Sequence, residues 1–125
     1  MTEIKNSKQY DLEERTYKFA KAVRMFVKKL SKNTANFEDS KQLVRSSGSV
    51  GANYIEANES LSKKDFLMRI KIARKEAKET QYWLNLVDTS GDVGLGKECV
   101  VLASECKELM LILGSILRNS ESKML

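Results

Sequence analysis

The sequence predicts an all-α protein, an antiparallel up-down-up-down four-helix bundle, and three observations lead to this fold class. Apolar residues recur with helical period in four separate segments, and no segment shows the alternation of a β-strand. The 125 residues contain no proline, so nothing interrupts long helices. Short links join the segments, which places consecutive helices side by side. We expect one domain over residues 1–125, with helices over about 11–32, 38–60, 63–89 and 97–119 and a frayed tail over 120–125.

The first two predicted helices carry different signals. In the segment 11–32, acidic residues lie in the first turn and lysines in the last, each sign being favoured at that end of a helix. In the segment 38–60, Gly48 and Gly51 each weaken the helix by about 1 kcal/mol relative to alanine. We interpret both glycines as positions of close backbone approach. A break of the helix over 46–49 is the competing interpretation.

The third predicted helix has the clearest start. Ser62 is a capping residue, Asp65 follows three positions later, and apolar periodicity begins next to it. Gly91 is expected to end this helix in a left-handed conformation. The glycine-rich loop 91–96 does not follow a strand, so it is predicted to be a connector to the fourth helix rather than a phosphate-binding loop.

Composition excludes several functions. The chain has no histidine, which excludes histidine-based catalytic triads, histidine proton shuttles and most zinc sites. On one helix, Cys99 and Cys106 would lie about 10 Å apart, beyond disulfide reach, so small buried hydrophobes are a better interpretation than a redox pair. No stretch has the apolar run of a signal peptide or a membrane span. We expect a cytoplasmic protein without a membrane partner, a metal or a cofactor.

Positive charge is concentrated on the first and third helices. Seven basic residues and no acidic residue lie over 15–32, and seven basic and two acidic residues lie over 63–78. Such a surface attracts nucleic-acid phosphates without reading base sequence, and a solvated face without a partner is the alternative. The residues predicted to contact RNA or DNA are Arg15, Lys18, Lys21, Arg24, Lys28, Lys32, Lys71, Arg74, Lys75 and Lys78.

The third and fourth helices carry more apolar residues than one stripe facing a core requires. The additional residues are Met68, Ile72, Trp83 and Leu86 on the third helix and Val101, Ile112 and Ile116 on the fourth. A second apolar edge on two helices predicts a homo-oligomer, whereas complete burial within a single bundle is the alternative.

Polar residues at helical spacing are shared by the second and third helices. The predicted polar network or oligomer contact comprises Arg45, Asn53, Glu56, Arg69, Ile72, Glu76, Glu79 and Trp83. Glu76 and Glu79 could form a paired-carboxylate site, but a di-metal bundle also needs a Glu-x-x-His motif. We therefore expect these carboxylates to pair with Arg45, Arg69 or the amide of Asn53, and we predict no catalytic residue.

Four segments of the chain resemble one known family. They are LVRSS from Leu43, SVGANYIEA from Ser49, SKKDF from Ser62 and KIARKEAKETQYWL from Lys71. These segments are similar to the 23S rRNA-intervening-sequence proteins, a bacterial family of four-helix bundles. The residues that match the family pattern are Asn53, Glu56, Glu76, Glu79, Tyr82 and Trp83.

The resemblance implies a left-turning antiparallel bundle that assembles into a ring, typically a homopentamer, with no established enzymatic activity. Some members are encoded within intervening sequences of ribosomal RNA genes. A related branch is the accessory variability determinant of diversity-generating retroelements, whose basic ring binds a reverse transcriptase and nucleic acid. We expect a non-enzymatic oligomer that binds RNA or DNA nonspecifically. The alternative is a protein-interaction scaffold that docks a partner such as a reverse transcriptase or another polymerase.

Overall fold

Four helices and their links make up the part of the chain that the computed structural model describes, which is the backbone of residues 2–124 and the side chains of residues 12–122. No strand occurs between residues 2 and 124. The helices are α1 (Thr2–Lys29), α2 (Thr34–Asn58), α3 (Lys63–Leu86) and α4 (Val93–Met124). Each helix packs against its neighbours in the sequence, and α1 also packs against α4. The predicted four-helix bundle is therefore confirmed.

Neighbouring helices run in opposite directions. Between α2 and α3, the buried Thr80 hydroxyl donates to the Ser46 hydroxyl at 2.8 Å, while Arg69 donates to Asn53 at 3.2 Å, so later residues of α2 meet earlier residues of α3. A four-residue link spans at most about 14 Å, too short to return along a helix of α2's length. The same order of contacts recurs between the other neighbouring pairs.

The α2 helix begins earlier than the predicted residue 38. The Asn33 side chain caps it by accepting a hydrogen bond from the Asn36 N–H at 2.8 Å. Asn36 is itself buried and bonds to the carbonyl oxygens of Ser31 and Asp88, each at 2.9 Å. The predicted link over 33–37 is thus mostly helical, because its asparagines satisfy backbone groups at the end of the bundle.

The observed ends of α3 and α4 can be compared with those predicted from local sequence signals. Ser62 caps α3 by accepting the Asp65 N–H at 3.0 Å, as predicted. Gly91 has the predicted left-handed conformation, with a φ of 73°, but α3 already ends at Leu86 rather than at 89, so Gly91 lies in the link to α4 and does not end the helix. The α4 helix starts at Val93 rather than 97, because the Asp92 carboxylate accepts the N–H of Leu95 at 3.0 Å.

At its two termini the bundle is longer than predicted. The α1 helix begins at Thr2 rather than 11 and ends at Lys29. Helical backbone continues to Met124 over the predicted frayed tail, of which Leu125 lies outside the described residues. No proline or glycine follows Gly114 in this stretch to end the helix.

The glycines of α2 lie at a close helix contact, and the helix is continuous across 46–49. A Cβ atom on Gly51 would lie 2.8 Å from the Thr16 hydroxyl and 3.1 Å from the Thr16 Cβ. A Cβ on Gly48 would meet only the guanidinium of Arg24, at 3.3 Å. The predicted close backbone approach is confirmed at Gly51 and wrong at Gly48, and the competing break is wrong.

The core contains the apolar stripes predicted from periodicity. Its largest fully buried side chains include Val23, Phe26, Leu43, Val50, Ile70, Leu84, Leu109 and Leu113. Every helix contributes to this cluster, so the charged residues are left on the four outer faces, each formed by two neighbouring helices.

Candidate nucleic-acid interface

The α1/α4 face is closed by ion pairs. Arg15 of α1 forms two ion pairs, with Glu105 at 2.7 Å and Glu108 at 2.8 Å, and Lys29 contacts Glu98 at 2.7 Å. Hydrogen bonds from Arg15 to both carboxylates raise the pKa of its guanidinium above its ordinary value. Arg15 was predicted to contact nucleic acid, but its donors are already held by α4.

Lys18 of α1 also has an acidic neighbour. Its ammonium lies 3.2 Å from the Glu14 carboxylate one turn earlier, and both side chains are exposed. Exposed pairs at this spacing contribute about 0.3–0.5 kcal/mol, so Lys18 is only weakly engaged.

The α1/α2 face carries the other cations of α1. Lys21, Arg24 and Lys28 follow one another at intervals of three and four residues, and hence share one side of the helix. Lys21 and Arg24 line a groove of about 330 Å³ against α2, and Lys28 and Lys32 line a second of about 570 Å³ beside the α1–α2 link. Among side chains 12–122, no carboxylate lies within 4.0 Å of the ammonium or guanidinium groups of these four residues.

The basic residues of α3 border α4. Lys71 lies 3.7 Å from Glu121, and the Arg74 side chain lies beside Gly114. Lys75 and Lys78 are exposed, and within the described side chains no carboxylate is at ion-pair distance from either. Since the helices follow one another around the bundle, the α3/α4 face lies opposite the α1/α2 face. The predicted cations of α1 and α3 therefore form two separate surfaces within one chain.

The α2/α3 face contains the predicted polar network. Arg45 contacts both Glu76, at 3.3 Å, and Glu79, and the indole N–H of Trp83 donates to Glu79 at 3.3 Å. The Glu76 side chain is only 15% exposed, so its carboxylate depends on Arg45 for its neutralisation. The two carboxylates thus meet a cation, and they leave no open paired site.

The remaining members of the predicted network are arranged differently. The Asn53 carbonyl oxygen accepts from Arg69, and its amide donates to the Ser49 carbonyl oxygen at 2.9 Å rather than to the two carboxylates. Glu56 is exposed and makes no ion pair with the side chains of residues 12–122. The buried Ser46–Thr80 hydrogen bond was missed, since two short hydroxyl side chains give no distinctive sequence signal.

The predicted second apolar edges are only partly free. Trp83, Ile112 and Ile116 pack against the chain's own core, and Ile72 is half-buried. Met68, Leu86 and Val101 are exposed. Self-association stays a prediction, with a smaller apolar area to drive it than the sequence suggested.

Both cysteines are free. Cys106 is fully buried with its thiol 2.9 Å from the Ala77 carbonyl oxygen, and burial raises the pKa of the Cys106 thiol to about 12. Cys99 is half-buried, and burial raises the pKa of its thiol as well. The prediction of small buried side chains is correct for Cys106.

Within the described residues, no group of three or more Cys, Asp or Glu side chains is arranged to hold a metal ion. In the same part of the chain, no helix combines the length and apolar character needed to cross a bilayer.

Comparison with known proteins gives a consistent result. The model of a family described as 23S rRNA-intervening sequence protein matches residues 8–115. A solved structure from Bacteroides thetaiotaomicron VPI-5482, described as a protein with unknown function from the S23 ribosomal protein family, is 32% identical with a TM-score of 0.78. The similarity covers 89% of this chain and 98% of that chain. None of the curated proteins matches.

Proposed function

The chain belongs to the family of 23S rRNA-intervening sequence proteins, and from that premise we propose that it binds RNA or DNA nonspecifically, without enzymatic activity, through cations that have no acidic partner among the described side chains. The observation that carries the proposal is the contrast between two sides of α1. Arg15 and Lys29 are bound by carboxylates of α4, whereas Lys21, Arg24 and Lys28 face α2 with no carboxylate within 4.0 Å among the described side chains.

Electrostatics favours the unpaired cations as phosphate ligands. A lysine already bound to a carboxylate gains little from a phosphate, because one anion only replaces another. A lysine without such a partner releases the counterions condensed on the nucleic acid when it binds, and this release drives association. The net charge of +5 makes the whole chain attractive to a polyanion, and the two basic faces direct where it binds.

The test is the affinity for a structured RNA measured against salt concentration. With four phosphate contacts on the α1/α2 face, log K should fall against log salt with a slope of about −3 to −4. A flat salt response, or no binding at low salt, would contradict the proposal.

A second candidate, protein docking, is favoured by an apolar row on α4. Val93, Val100 and Leu111 share the outer side of the helix and are 60–71% exposed. Such a row fits a protein partner or another copy of this chain. Light-scattering mass detects the second copy, and capture of a partner that persists after nuclease treatment detects direct docking rather than bridging by nucleic acid.

A further inference from the structure

Two exposed aromatic rings lie beside cations on the α1/α2 face. Tyr17 is 63% exposed and Phe37 is 62% exposed, so both rings present apolar surface to solvent. The ammonium of Lys21 lies 6.0 Å from the Tyr17 ring centroid, and that of Lys41, which also pairs with Glu38 at 3.5 Å, lies 4.4 Å from the Phe37 centroid. Sequence reasoning missed both rings, although Tyr17 stands four residues before Lys21 on the same side of α1.

The groove beside Tyr17 has an apolar floor. Gly51 lets α1 and α2 approach closely, and Ala20 and Ala52 also line the groove. Ile55 forms a wall and is 47% exposed. Covering this surface with an apolar group is favourable, because it removes apolar area from water. Its occupant therefore needs apolar area as well as negative charge.

The charges around the two cavities of the α1/α2 face favour an anion. Four cations line them (Lys21, Arg24, Lys28 and Lys32), and among the described side chains the one carboxylate in the lining is that of Glu13. This carboxylate already accepts a hydrogen bond from the Asn58 amide at 2.9 Å. An occupant with regularly spaced negative charges and flat apolar rings matches the alternation of cations and aromatic side chains.

We propose that this groove binds unpaired nucleotides of single-stranded nucleic acid, with bases against Tyr17 and Phe37 and phosphates at Lys21, Arg24 and Lys28. The inference rests on the proposed function and adds that the bound strand is unpaired. In a duplex, the bases are stacked on one another and offer no free face to a ring. Tyr17 and Phe37 lie about 20 Å apart along the bundle axis, which leaves room for several nucleotides.

The experiment compares three labelled ligands by fluorescence anisotropy: a 12-nucleotide oligothymidylate, an abasic strand with the same phosphates, and a 12-base-pair duplex. The wild-type protein should bind oligothymidylate at least about tenfold more tightly than the abasic strand. The double variant Tyr17→Ser/Phe37→Ser should bind oligothymidylate no more tightly than the abasic strand. Its affinity for the abasic strand should equal that of the wild-type protein. Tyr82→Ser is the matched control, because Tyr82 is 59% exposed and lies on α3 beside Trp83. It should leave all three affinities unchanged.

Each contrary result has a distinct meaning. Equal binding of oligothymidylate and the abasic strand, or equal losses in the double variant and in Tyr82→Ser, would overturn the inference and leave phosphate binding intact. Failure of all three ligands to bind at low salt would overturn the proposed function too. A change of light-scattering mass in the double variant would assign the groove to a second copy. A glutamate-rich amphipathic peptide that binds this groove more tightly than oligothymidylate would assign it to a protein partner. Both of these results contradict the inference.

Discussion

The contacts that α3 makes with its two neighbouring helices differ from those that α1 makes with its neighbours. The α3 helix is joined to α2 by the buried Ser46–Thr80 hydrogen bond and the Arg45 ion pairs, and to α4 by the buried Cys106 contact. The α1 helix meets α4 through partly exposed ion pairs and meets α2 across an open groove. Most buried polar groups at the α3 contacts are therefore hydrogen-bonded within the chain, with the Glu76 Oε1 atom as the described exception, while several cations of α1 have no carboxylate at ion-pair distance among the described side chains. This contrast separates residues that stabilise the bundle from residues that we propose bind a partner.

The largest predicted effect is a loss of folding stability at high pH, and it arises at the α3/α4 contact. Because burial raises the pKa of Cys106 to about 12 in the folded chain, the unfolded chain loses this proton first as pH rises. Stability is then fully present below the ordinary thiol pKa and is lost as pH rises towards 12, on the order of a few kcal/mol in total. Urea unfolding between pH 8 and 11 measures this loss. In Cys106→Ala the pH dependence should be clearly smaller, and an unchanged profile would contradict the assignment.

A smaller loss of folding stability is expected when the α2/α3 contact is disturbed. Arg45→Ala leaves the largely buried Glu76 carboxylate without its cation, and should lower the free energy of unfolding by about 2 kcal/mol. Adding Glu76→Gln should restore part of the loss, because the charge is removed. On the α1 side, Lys29→Ala breaks a more exposed pair and should cost less than about 1 kcal/mol. Equal losses in Arg45→Ala and Lys29→Ala would contradict the comparison.

The smallest effects distinguish the two glycines of the α1/α2 contact. Gly51→Ala should destabilise by about 1 kcal/mol, because the new Cβ overlaps the buried Thr16 and this strain exceeds the gain in helix propensity. Gly48→Ala should stabilise by up to about 1 kcal/mol, because only the flexible Arg24 guanidinium must move. Thermal unfolding of the two variants tests this. Stabilisation by both would show that backbone propensity alone decides, and destabilisation by both would contradict the prediction for Gly48.

Sequence periodicity was sufficient to predict the four helices, because each has an apolar stripe that only a helical conformation can bury. Helix ends were harder to predict. Ser62 gave a recognisable signal, whereas Gly91 marked a left-handed position in the α3–α4 link and not the end of α3. The Asn33 cap was hidden within a polar link and the Asp92 cap within a glycine-rich loop. Both residue types favour the cap position, so the signals were present but ambiguous.

The candidate site could be predicted only in part, because charge was counted along single helices. The stretch from Arg15 to Lys32 contains no acidic residue, yet Arg15 and Lys29 are bound by carboxylates 90 and 69 positions away in the sequence. Which side of α1 is neutralised depends on α4 and follows only from the packing. The pairing of Arg45 with Glu76 and Glu79 was easier to anticipate, because few cations on α2 and α3 could meet these carboxylates.

The most direct test of the central claim is the salt dependence of oligonucleotide affinity in two variants with the same net charge. Lys21→Gln/Lys28→Gln removes two cations of the α1/α2 face, and Lys18→Gln/Lys97→Gln removes two exposed lysines from the α1/α4 side. The first variant should make the slope of log K against log salt shallower by about 1.4, as expected for two lost phosphate contacts with a single strand. The second variant should leave the slope nearly unchanged. Equal changes in both variants would mean that only net charge matters and would contradict the account.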